Sequence, residues 1–280
     1  MHEGPPPLSE QRGQTLPRLV AIMQRLLAPD GCPWDREQTL ETLRPYVVEE
    51  AHEVVDAIDR GDKDDLREEL GDLLLQIVFQ SELARARGWF GPDDVIDAIS
   101  DKMVRRHPHV FGDDRLGSSA EVLEAWERRK ALEREAKARN EGASGDEPRG
   151  ALDGVPVTMP SLLRAVRVGD KAARVGYDWP SPAGARAKID EELAELDAAS
   201  ATGDSVRTEE ELGDVLFALA SWARLSKIDP EAALRRALDR FTARFREAEH
   251  LAFARGTPLD QLDDEARDAL WNEVKARQRG

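Results

Sequence analysis

The chain has 280 residues, 40% of them hydrophobic, and a formal net charge of −16. That length accommodates two domains of ordinary size, and that charge argues against a broad nucleic-acid-binding face. Its one cysteine, Cys32, excludes an internal disulfide, no apolar run approaches the ~18–20 residues of a membrane span, and no basic-then-apolar leader opens the chain, so a reducing cytoplasm is the expected location.

Residues 1–13, rich in Gly, Pro and Gln, read as a disordered tail. Apolar residues at 16, 19, 20, 22, 23, 26 and 27 then fit an amphipathic helix. The run from Pro29 to Asp35 reads as a loop, and Pro45 leads into a long acidic helix with the stripe Val47, Val48, Ala51, Val54, Val55 and Ile58. Gly61-Asp62 ends it. Asp64 or Asp65 is the expected cap of the next helix, whose stripe is Leu66, Leu70, Leu73, Leu74, Ile77 and Val78. A further helix runs from Asp93 and Asp94 towards His107-Pro108, and a charged one from Ser118 to Lys137 contains Trp126.

Residues 138–154 offer little to a core and read as a linker. The order then repeats: a helix from Leu162 to Val175, a loop at Gly176–Pro180, and an acidic helix with Ile189, Leu193 and Leu196. Next come a turn at Gly203-Asp204, a stripe from Leu212 to Ala220, a helix through Leu234, Leu238, Phe241 and Phe245, and a last helix over about Asp263–Gln278. No strand pattern appears. The expected fold class is all-α, two tandem helical bundles spanning 14–137 and 155–280.

The two halves share one motif. Glu49-Glu50-Ala51-His52-Glu53 precedes Glu69-Leu70-Gly71-Asp72, and Glu191-Glu192-Leu193-Ala194-Glu195 precedes Glu211-Leu212-Gly213-Asp214. The differences 191 − 49, 195 − 53, 211 − 69 and 214 − 72 are all 142, so the chain reads as an internal duplication. On a helix, residues three and four apart share a face. Glu50 with Glu53, and Glu69 with Asp72, therefore make two acidic pairs that meet if their helices pack antiparallel. Two carboxylates ~5 Å apart repel by roughly 3 kcal/mol at an effective dielectric near 20. Four in one pocket would take up protons or a cation, and an all-oxygen site suits Mg2+ or Mn2+. The Gly inside each E-L-G-D costs helix stability, and close helix approach is its expected use. A solvated acidic face is the alternative reading, weakened by the repeat.

With these motifs, and with Cys32-Pro33-Trp34-Asp35, the run Lys102–Phe111 and Trp271, residues 14–280 resemble the MazG family of nucleoside triphosphate pyrophosphohydrolases in its two-domain form. The resemblance implies dimerising helical bundles that hydrolyse nucleoside triphosphates to the monophosphate and pyrophosphate with Mg2+. It places metal ligation on Glu192, Glu195, Glu211 and Asp214, with first-half counterparts Glu50, Glu53, Glu69 and Asp72. Catalysis falls on Glu191, Glu192 and Glu195; Glu49 and Glu191 could bind metal, hold a water or support the ligands. Substrate contacts map to Arg240, Arg244, Trp271 and Lys275, and to Lys102 and Arg106 in the first half, where Trp126 and Lys130 repeat the Trp–Lys spacing. Two departures stand out: Arg240 where the family often has Lys, and Leu238 where it often has Asn.

Other readings remain open at this point. Arg240 and Arg244 could be surface charges, and Trp34 and Trp179 could stack on a base or anchor their loops. A di-iron carboxylate bundle would need Glu-x-x-His on two helices, and only Glu49-x-x-His52 supplies one. A non-catalytic helical interaction module is the remaining alternative. The absence of a G-x-x-x-x-G-K-[ST] motif excludes a P-loop. In two-domain relatives the second domain is taken to carry most of the catalysis, so the second half is the expected working site.

Overall fold

A computed structural model describes residues 16–112 and 150–278, with positions 115, 117, 118, 121, 122, 125, 126 and 129 between them. The expected tail at 1–13, most of the expected linker and Lys130 lie outside the described residues. The described chain is all-α, without a strand. It divides into two compact units, Met1–Ser144 and Gly145–Gly280.

The first unit contains α1 (Leu16–Leu27), α2 (Pro33–Glu37), α3 (Arg44–Arg60), α4 (Lys63–Ala86), α5 (Pro92–Arg106) and α6 (Pro108–Phe111). The expected loop at 29–35 is partly helical. Pro33 occupies the first turn of α2, where its missing N–H costs nothing, so the residue that breaks one helix starts the next. The cap of α4 is also corrected. Asp62, in extended backbone, accepts from the N–H groups of Asp64 and Asp65, the two residues expected to do the capping. Met23, Leu43, Val78 and Phe79 form the buried core, with leucines of α1 and α4 around it.

The second unit contains α7 (Ser161–Ala173), α8 (Pro182–Thr202), α9 (Ser205–Leu225), α10 (Pro230–Ala254), a 3-10 turn (Leu259–Gln261) and α11 (Asp264–Arg277). Small residues, among them Ala185, Ala199, Ala218 and Ala220, are buried and let α8 and α9 pack closely. A second cluster of Ala248, Ala252, Leu270 and Val274 joins α10 to α11.

The α3–α4 and α8–α9 hairpins share their turn chemistry. Gly61 ends α3 with φ of 69° and Gly203 ends α8 with φ of 74°, a left-handed conformation that suits glycine. Asp62 and Asp204 cap the following helices in the same way. Since 203 − 61 is again 142, the duplication covers the whole hairpin that carries the acids.

Gly71 and Gly213 do not serve close approach within the chain. A side chain added at either would meet nothing within 4 Å. They lie on faces where Leu70, Leu74 and Ile77, and likewise Leu212, Leu216 and Leu219, are exposed. The apolar stripes of α4 and α9 are therefore only partly used by the chain's own packing.

Candidate active site

Each hairpin turns one helix back along the other, so carboxylates on both meet across it. In the first unit one carboxylate oxygen from each of Glu50 on α3 and Glu69 and Asp72 on α4 lies within 4.8 Å of the others. In the second unit Glu192 on α8 and Glu211 and Asp214 on α9 meet the same condition. Each trio can hold a cation through oxygen alone, a donor set for a hard metal. Glu53 and Glu195, one turn further along their helices, are exposed and stand outside these trios.

The electrostatics of the two clusters differ. Burial raises the pKa of Glu50, and Asp72, Glu53 and Glu69 push it further. Glu69 is also raised, by desolvation first and then by Glu53, Asp65, Asp72 and Glu68. The first cluster is thus short of positive charge. In the second, Lys188 Nζ reaches Glu191 Oε1 at 2.8 Å and Glu192 Oε1 at 2.7 Å. The contacts with Glu191 and Glu192 raise the lysine pKa above its usual range. Arg207 Nε lies 3.6 Å from Glu211 Oε1. Subtracting 142 from 188 and 207 gives Tyr46 and Asp65, so the first unit has neither cation.

Lys188 and Arg207 are not among the residues that the two halves share, so the repeated motif carries no sign of them. Reading the mismatches at the same shift would have shown both. Glu192 is 6% exposed, while Glu191 lies at the surface with its carboxylate on Lys188. A cleft of about 410 Å³ opens beside the second cluster, its lining including Tyr177, Trp179, Lys188, Glu192, Asp214 and Phe217. It places aromatic surface next to carboxylates and an ammonium, a combination that can seat a flat base near a charged polyphosphate. Trp34, in the first unit, is half exposed and meets Tyr46 edge-on at 6.2 Å.

The other expected substrate residues lie on α10 and α11 in the second unit and on α5 in the first. Arg240 is exposed on α10, and Arg244 Nε donates to Gln278 Oε1 at 3.0 Å. Trp271 on α11 packs on Phe241 at 5.3 Å, and Lys275 follows one turn later, half-buried. Among the described residues no hydrogen bond or ion pair joins these four to the acidic cluster of their own chain. In the first unit the Arg106 guanidinium lies over the Trp126 ring at 5.5 Å, and Lys102 is half-buried on α5. His52 is exposed, consistent with a helix-face residue.

Comparisons with known proteins identify the family. Residues 38–111 match the family model described as MazG nucleotide pyrophosphohydrolase domain, and residues 179–240 match that of phosphoribosyl-ATP pyrophosphohydrolase. The chain is 44% identical over 264 residues to a nucleoside triphosphate pyrophosphohydrolase of Escherichia coli K12, covering 93% of this chain and 97% of that protein. It is 40% identical over 266 residues to the nucleoside triphosphate pyrophosphohydrolase/pyrophosphatase MazG of Thermotoga maritima, covering 95% and 98%. With two acidic hairpins in tandem and similarity running nearly end to end, the chain belongs to the MazG family of nucleoside triphosphate pyrophosphohydrolases.

Proposed function

We propose that this chain is an enzyme that hydrolyses nucleoside triphosphates to the monophosphate and pyrophosphate, with Mg2+ (Mn2+ as a substitute) held by the acidic hairpins. The observation that carries this reading is the convergence of three carboxylates on one helical hairpin, repeated in both units. Glu192, Glu211 and Asp214 would hold the ion in the second unit, with Glu195 one turn away; Glu50, Glu69 and Asp72, with Glu53 nearby, are the counterparts. When bound, such an ion supplies neutralisation of charge developing on the triphosphate. The residues do the rest. Glu191, at the edge of the cluster, would orient a water for in-line attack on the α-phosphorus. Lys188 and Arg207 offer positive charge for the departing pyrophosphate. No side-chain nucleophile is required.

The second unit is the better equipped for turnover. Its cluster has two cations beside it, where Tyr46 and Asp65 stand in the first, and a polyanionic substrate needs positive charge as well as metal. Arg240, Arg244, Trp271 and Lys275 complete the substrate contacts in our reading, with Lys102 and Arg106 in the same role in the first unit.

The enzyme works as a homodimer in this account. Leu212, Leu216 and Leu219 beside the acids, and Leu234, Leu238 and Phe241 on α10, are each 40–56% exposed. A second copy covering such faces would remove apolar surface from water and fill the space open at Gly213. No described helix is long and apolar enough to cross a membrane. We place the enzyme in the cytoplasm, where its single cysteine stays reduced.

The test is incubation of the pure protein with each nucleoside and deoxynucleoside triphosphate, with Mg2+ or EDTA, and separation of the products. Monophosphate and pyrophosphate that appear only with metal support the reading. Diphosphate and orthophosphate as first products, or full activity in EDTA, would overturn it.

A further inference from the structure

One wall of the second-unit cleft is a loop. Gly176, Tyr177, Asp178 and Trp179 connect α7 to α8, and Tyr177 is 82% exposed. Its start is held by α7, where the Gly176 and Tyr177 N–H groups donate to the Ala173 and Ala172 carbonyls, and a side-chain link ties the part beyond. Asp178 Oδ1 accepts from the Trp179 backbone N–H at 2.9 Å and from Arg224 Nη2 at 2.6 Å. Arg224, near the end of α9, has a side chain only 11% exposed, and its Nη1 lies 3.9 Å from Asp170 Oδ1 on α7. Its Nε is buried without a partner. A β-carbon at Gly169 on α7 would come within 2.7 Å of that Nε, so the glycine leaves the guanidinium its room. Trp179 in turn lies against Gly184, where an added β-carbon would be 3.1 Å from its ring.

The duplication provides a control inside the molecule. Subtracting 142 from 224 gives Glu82, which is 6% exposed, accepts from Gln24 Nε2 at 3.1 Å and pairs with Arg85. The same position thus holds the opposite charge, partnered by its own helices. A buried arginine that crosses from α9 to the cleft loop is a property of the second unit.

We propose that Arg224 is a positioning residue for substrate selection: through Asp178 it fixes the Tyr177–Trp179 wall of the second-unit cleft, against which the base of a nucleoside triphosphate is held. This rests on the function proposed above and adds the part of the molecule that senses the nucleoside. Lys188, Glu192 and Asp214 line the same cleft and would meet the triphosphate end. Releasing the loop should weaken binding of the base while leaving the polyphosphate end intact.

The experiment uses the full-length chain with Mg2+ and compares Arg224→Met, Arg224→Lys, Asp178→Asn and the double variant Arg224→Met/Asp178→Asn. Steady-state kinetics are measured with each nucleoside triphosphate, and inhibition with tripolyphosphate, which has no base or sugar. Arg224→Met and Asp178→Asn should each raise KM about 10- to 100-fold, the scale of a misplaced binding group, with kcat changed less than about threefold. Tripolyphosphate should inhibit all variants at the wild-type concentration. Arg224→Lys, which keeps the charge but cannot span both aspartates, should recover part of the loss. The double variant should be no worse than either single one, because both break the same link.

Unchanged KM in Asp178→Asn, additive losses in the double variant, or tripolyphosphate inhibition that weakens in step with KM would each overturn the proposal. If circular dichroism shows Arg224→Met unfolded, Asp178→Asn decides by the same readouts, since Arg224 then retains Asp170. Wild-type protein that releases no monophosphate refutes the proposed function. Normal wild-type turnover with kinetically silent variants refutes this inference alone.

Discussion

Replacing Glu192 by alanine should separate the two units' contributions most sharply. Glu192 is the buried member of its trio, and its oxygen lies within 4.8 Å of those of Glu211 and Asp214. A dication among oxygens that lie within 4.8 Å of one another is nearer than that to each, so one carboxylate attracts it by more than about 7 kcal/mol at an effective dielectric of 20. Much of this is offset, because the carboxylate no longer has to be desolvated. Removing one partner of a buried charge pair typically leaves a net cost of roughly 2–5 kcal/mol. That corresponds to a rise of about 30-fold to several thousand-fold in the Mg2+ concentration needed for half-maximal rate. The assay follows monophosphate release while Mg2+ is titrated into wild type, Glu192→Ala and Glu50→Ala. Glu192→Ala should need far more metal, and Glu50→Ala should stay close to wild type. If Glu192→Ala keeps the wild-type midpoint and rate while Glu50→Ala loses both, the working site has been assigned to the wrong unit.

The first cluster makes a pH prediction. Glu50 and Glu69 have raised pKa values, burial being the largest cause and neighbouring carboxylates the next. In metal-free protein the folded state therefore keeps protons that the unfolded chain releases. The stability they contribute is full below the ordinary carboxylate range and is lost as pH rises through the raised values. In EDTA, Tm of wild type relative to Glu50→Gln should fall with rising pH, and saturating Mg2+ should reverse the sign; a difference independent of pH would count against the cluster. Light scattering should give twice the chain mass of 31.2 kDa, and Leu216→Glu should shift it towards one; a wild-type monomer at micromolar concentration contradicts the dimer. Leu43→Ala, at a fully buried position, should cost about 2–5 kcal/mol in urea unfolding of the first unit. A loss below about 1 kcal/mol would mean that Leu43 does not anchor that core.

What could be read in the sequence followed from local chemistry. The hairpin turns are legible because glycine is favoured at φ near +70° and aspartate caps through its own side chain, and the apolar stripes on either side separate Gly61-Asp62 and Gly203-Asp204 from Gly71-Asp72 and Gly213-Asp214, which lie inside helices. The cap lies two or three residues before the expected Asp64 or Asp65 because Asp62, Asp64 and Asp65 are chemically alike, and only the backbone angle distinguishes the one before the first turn. Pro33 is equally a helix breaker and a helix starter, and composition does not tell the two apart. Helical spacing puts Glu53 and Glu195 on the acidic face but does not say which carboxylate oxygens meet, and the hairpin crossing brings together those of each trio while these two stand outside. What lies opposite a glycine is a tertiary fact, so the open space at Gly71 and Gly213 had no local signal. Lys188, Arg207 and Arg224 left a trace only as differences between the halves, at Tyr46, Asp65 and Glu82.

The central claim is that water attacks the α-phosphorus. A single-turnover reaction with excess enzyme, a nucleoside triphosphate and Mg2+ in water enriched in oxygen-18, followed by mass spectrometry of both products, tests it directly. The account predicts one heavy oxygen in the nucleoside monophosphate and none in the pyrophosphate. Label in the pyrophosphate, or in released orthophosphate, would mean that another phosphorus is attacked and would contradict the account.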